Sequence, residues 1–73
     1  MSKLTRYQEI ILDCIKLYIK ENIDSPTLAE IRDMSGLSSR STVHKHVENL
    51  VKLGYLMKLP KTKRGIIVVE GKE

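Results

Sequence analysis

The chain has 73 residues, 41% of them hydrophobic, three tyrosines as its only aromatic side chains, one cysteine and a formal net charge of +4. A domain this short buries only about 60% of the surface its unfolded chain exposes, so its core is small and a deep enzyme pocket is not expected. Lone Cys14 allows no internal disulfide, no signal peptide opens the sequence, and the longest apolar run, Ile66 to Val69, falls far short of the roughly 18 residues a membrane span requires, so a cytoplasmic protein of a reducing compartment is expected.

The first element opens at Thr5, with Gln8 three residues on, the pattern in which two side chains satisfy orphan backbone donors at a helix start. A helix over about 6–21 follows, with Tyr7, Ile10, Ile11, Cys14, Ile15 and Tyr18 recurring at spacings of three and four as a core face. Asp24-Ser25-Pro26 then forms a loop, because proline disfavours helix at the residue before it. Thr27 and Glu30 repeat the capping signature, and Pro26 is placed to staple Ile31. Leu28, Ile31 and Met34 supply the buried stripe of a helix over about 28–35, ended by Gly36. A two-turn helix, a tight turn and a further helix make a helix-turn-helix.

The third helix, about 40–53, has Val43, Val47, Leu50 and Leu53 as its inner face, Val51 at the edge, and Gly54 as its stop. At about 100° per residue, Ser41, Lys45, Glu48 and Lys52 point away from that face, and Thr42, His44 and Asn49 flank it. Hydrogen-bonding side chains thus collect at the N-terminal end, the end a recognition helix presents to base edges in a major groove. Serine and threonine donate to or accept from base edges or phosphates, and lysine prefers the acceptors of guanine. Beyond Gly54 the pattern changes to two short β-branched runs joined by PKTKRG, which reads as a hairpin, or wing, over about 55–69 with Lys61, Lys63 and Arg64 near its tip. The expected fold is therefore mainly α with a small β-hairpin, a three-helix winged helix-turn-helix occupying residues 1–73 as one domain.

Charge sharpens this picture. Met1 to Ser39 carries five basic and six acidic residues, whereas Arg40 to Arg64 carries seven basic residues and one acid, Glu48, a local balance of +6. A basic segment of this density, opening at the polar end of a helix, points to a polyanion partner.

The segments LTRYQEIILDCI, SPTLAEI, GLSSRSTVHKHVENLVKLGYL and RGIIVV, in this order and spacing, resemble the N-terminal DNA-binding domain of the LexA repressors from Leu4 to Val69. STVH followed by a second histidine is most similar to the Gram-positive versions. The resemblance implies base-reading roles for Ser39, Ser41, Thr42, His44 and Lys45, and backbone contacts for Arg40, Lys52, Lys61, Lys63 and Arg64. It also implies a double-stranded inverted-repeat operator, a bacterial or phage-encoded, nucleoid-associated repressor of SOS or mobile-element genes, and a possible homodimer on DNA. Family members continue into a self-cleaving serine-lysine domain that these 73 residues do not contain.

Competing readings stand beside these. Ser39 is also a good N-cap, and His46 points toward the core side, where packing suits it better than base contact. Ser41 and His44 lack an acidic orienter and an oxyanion-forming turn, so no catalytic residues are expected. His44 and His46 diverge by about 200° on a helix, so no metal site is expected, nor any cofactor, small-molecule ligand or membrane partner. The alternative function is a winged helix that binds a repressor or another transcription component. Sparse aromatic and large apolar anchors on the exposed face of the third helix favour DNA over that alternative.

Overall fold

The computed structural model describes residues 4–62 and 64–69; Lys63 and the tail from Gly71 to Glu73 lie outside them. Three helices, α1 (Arg6–Asn22), α2 (Leu28–Ser35) and α3 (Arg40–Lys52), precede two strands, β1 (Leu56–Lys58) and β2 (Ile66–Val68). The strands pair antiparallel with Leu56 opposite Val68, Met57 opposite Ile67 and Lys58 opposite Ile66. The architecture is the mainly helical winged form that the patterning indicates.

Local chemistry sets the helix starts. At α1, Thr5 Oγ1 accepts from the Gln8 backbone N–H at 3.2 Å while Gln8 Oε1 accepts from the Thr5 N–H at 3.0 Å. At α2, Thr27 and Glu30 make the same reciprocal pair, at 3.2 and 2.9 Å. Helix ends are equally local. Gly36 takes φ 81° with open space around it, so the turn into α3 needs glycine for its backbone angle rather than for room. At the end of α1 the left-handed position is filled by Ile23, φ 54°, whose side chain is 91% exposed.

Ile11, Leu12, Ile15, Ile31, Val43, Val47, Leu50, Leu56 and Ile66 form one buried cluster. Every element contributes to it, which is how a small chain closes a single core. The buried stripe of α1 runs through Gln8, Ile11, Leu12 and Ile15, rotated from the expected seam, and Tyr7 is 51% exposed. Gln8 tolerates burial because its amide oxygen is spent on the cap. Tyr7 instead lies against α3, its ring stacked on His46 with centroids 6.1 Å apart. Met34 and Leu53 are more exposed than their spacing suggests, Met34 in the last turn of the short α2 and Leu53 at the cap beyond the last turn of α3. Cys14 is half-buried, and burial together with neighbouring Asp13 pushes its thiol pKa up, which leaves it a poor nucleophile.

A candidate nucleic-acid interface

Burial of Val43, Val47 and Leu50 anchors α3 along one side and fixes which side chains face outward. Arg40, Ser41, Thr42, His44, Lys45 and Lys52 are all exposed, while Asn49 and Glu48 are half-buried. Among the described residues no side-chain hydrogen bond or ion pair engages Arg40, Thr42, Lys45, Lys52 or Lys61. Their donors are therefore available to an outside acceptor. The first turn of α3 contains no acid, so nothing offsets the positive end of the helix dipole there.

Ser39 is the N-cap: it is half-buried, and its Oγ accepts from the Ser41 N–H at 3.2 Å. His46 is also half-buried, with Nδ1 buried and without a hydrogen-bond partner and its ring against Tyr7. Those positions suit packing and capping, whereas Ser41, Thr42, His44 and Lys45 form the open row.

The wing lies beside the start of α3. An open groove of about 430 Å³ separates them, with Arg40 from α3, Lys58 from β1 and Thr62 from the hairpin loop on its walls. The loop is closed by Leu59 N–H donating to the Gly65 carbonyl at 2.8 Å. A Cβ on Gly65 would stand 2.9 Å from the Leu59 carbonyl oxygen, so the close backbone approach requires glycine. Lys61 sits at the tip, exposed and with φ 64°.

Arg64 differs from the other basic residues of the wing. Its guanidinium makes two bonds to the Glu30 carboxylate, at 2.8 and 3.0 Å, and donates to the Ser25 carbonyl at 3.0 Å and to Tyr18 Oη at 3.1 Å. Ser25 Oγ donates in return to the Arg64 carbonyl. Hydrogen bonding from Arg64, and then from the Thr27 backbone, holds Glu30 well below the ordinary carboxylate range, at about 2. Arg64, implied by the resemblance to touch a phosphate, has its guanidinium engaged across the wing and the first two helices while its side chain stays 39% exposed. Sequence spacing gives no sign of a partner 34 residues away.

Two further residues enter the surface. Glu48 Oε2 is 3.3 Å from His44 Nε2 and 3.7 Å from Lys58 Nζ. Lys58 escapes a reading by helical face because it is the last residue of a strand, yet β1 brings it alongside α3.

Helix α2, the turn at Gly36, an exposed polar α3 and a two-stranded wing define a winged helix-turn-helix domain. Comparison of the sequence gives the family. The model of the LexA DNA binding domain matches residues 1–65, and this chain belongs to that family. It is 44% identical over 68 residues to the LexA repressor of Caldicellulosiruptor saccharolyticus, and 42% identical over 69 residues to those of Bacillus mycoides and Bacillus cytotoxicus. These alignments cover 93% or 94% of this chain but 34% of each relative, so the chain spans about a third of the length of the curated relatives it matches. The matching model describes a DNA-binding domain, and this chain is such a domain. Among the described residues no helix is long and apolar enough to cross a membrane.

Proposed function

We propose that this domain reads a double-stranded inverted-repeat operator as part of a LexA-type transcriptional repressor, acting on SOS or mobile-element genes in a bacterial or phage-infected cell. In this reading α3 enters the major groove and the wing follows the adjoining backbone. Ser41, Thr42, His44 and Lys45 carry base recognition, with Ser39 holding the helix start beside them. Arg40, Lys52, Lys61 and Lys63 meet phosphates. The observation that carries this reading is the row of exposed side chains on the first turns of α3, held on a helix whose opposite face is fully buried.

Homodimer formation on DNA follows from the two-fold symmetry of an inverted repeat: each copy occupies one half-site. A single copy neutralises few phosphates, so binding by the isolated chain is weak and steeply dependent on salt. Fluorescence anisotropy against a LexA-type inverted repeat and a scrambled duplex, at low and physiological salt, tests the whole reading. Preference for the repeat at both salts is the expected result. Equal binding that disappears with salt would leave only a basic surface, and no binding at either salt would favour docking to a protein instead.

A further inference from the structure

Glu48 is the one acid in the 25 residues from Arg40 to Arg64, and it stands among the groups expected to meet DNA. An acid there is costly: it faces a phosphate backbone and cancels part of the charge that attracts it. Its position is defined on two sides. On α3 it lies one turn after His44, with Oε2 3.3 Å from Nε2, and across the surface it reaches Lys58 of β1 at 3.7 Å. His44, Glu48 and Lys58 side chains remain 48%, 46% and 36% exposed, so an approaching duplex can compete for each of them.

We propose that Glu48 is a specificity-determining residue, tethering Lys58 so that this lysine does not strengthen sequence-independent attraction to DNA. The inference rests on the operator-reading function proposed above. On a random duplex Lys58 stays with Glu48 and the carboxylate contributes no favourable contact. On a preferred site, base contacts from the start of α3 bring the surface close enough for Lys58 to exchange Glu48 for a phosphate. Glu48 thereby weakens non-specific binding more than specific binding, which widens the ratio between them. Discrimination of this kind needs a repulsive element as well as attractive ones.

The test compares wild type, Glu48→Gln, Lys58→Ala and the double variant by fluorescence anisotropy on the inverted-repeat and scrambled duplexes over a salt series. Glutamine keeps the length and helix preference of glutamate, and thermal melts of all four proteins confirm that each is folded. Glu48→Gln is expected to tighten binding to the scrambled duplex by about two- to fivefold, the range set by loss of an exposed ion pair. Its gain on the inverted repeat is smaller, so preference falls. On the scrambled duplex its salt slope steepens by about 0.9, one phosphate's worth, and the Lys58→Ala background removes that change.

Three results would overturn the proposal. Unchanged binding of Glu48→Gln to the scrambled duplex removes the restraint. A gain that persists undiminished without Lys58 shows a carboxylate acting by its own charge, with no tether. Loss confined to the inverted repeat makes Glu48 a base reader. Wild-type protein that fails to prefer the repeat removes the underlying function, a failure visible before any Glu48 variant is measured.

Discussion

Arg40 and Arg64 bound the same basic segment and carry the same charge, yet the fold uses them in opposite ways. Arg40 opens α3 with no partner among the described residues, beside the groove that separates α3 from the wing. Arg64 closes the wing loop with its guanidinium shared among Glu30, Ser25 and Tyr18. Charge counted along a chain therefore overstates the charge offered to a ligand. What matters is which donors remain unspent after folding, and that is decided by neighbours distant in sequence.

The largest expected effect comes from dismantling the scaffold common to both arginines. Leu50→Ala removes a fully buried side chain from α3 and is expected to cost about 2–5 kcal/mol in a urea melt, with apparent affinity for all duplexes falling as unfolded protein accumulates. Lys45→Ala takes only the outward face, and should cost about 1–3 kcal/mol on a preferred sequence while leaving stability within roughly 0.5 kcal/mol of wild type. Equal losses on every duplex would remove Lys45 from base reading. The arginines themselves then separate: Arg40→Ala should lower the salt slope by about 0.9 with little change in melting temperature, whereas Arg64→Ala should lower the melting temperature with the slope nearly unchanged.

Acid offers a finer separation. Glu30 has its pKa depressed in the folded protein from an ordinary 4.5 to about 2, so the stability it contributes is complete above the ordinary value and lost as the pH falls toward about 2. Melting curves through that window should show a decline that Glu30→Gln flattens, and an identical decline in the variant would remove Glu30 as its source. The smallest effect is expected at Ile23, where a β-branched side chain occupies a left-handed backbone and packs on almost nothing. Ile23→Asn should raise stability by up to about 1 kcal/mol, read from the same melts.

Much of this was legible from short-range pattern. Both capping boxes, the Gly36 turn, the buried Val43, Val47 and Leu50 and the outward Ser41, Lys45 and Lys52 follow from interactions within a turn or two, where spacing determines geometry. Spacing failed where tertiary neighbours decide. Tyr7 shares a helical row with Cys14, but the core sits under Leu12 and Ile15, so Tyr7 is left to cover His46. Leu53 continues the apolar period of α3 onto the C-cap, where its N–H still donates to the Asn49 carbonyl but its side chain emerges into solvent. Glu48 was visible as an outward acid, but its reach to Lys58 depends on the packing of a strand against a helix. The engagement of Arg64 depends on three partners, the nearest of them 34 residues away.

The clasp between Glu30 and Arg64 has a kinetic consequence. It closes a loop that contains most of α2, all of α3 and β1, and so ties the wing back to the first two helices across α3. The enclosed span should behave as one cooperative opening unit in native-state hydrogen exchange, with the inner amides of α3 and those of the β1–β2 pair sharing a protection level. Releasing the clasp by Arg64→Ala would let the hairpin amides exchange early while the α3 amides above Leu50 stay slow.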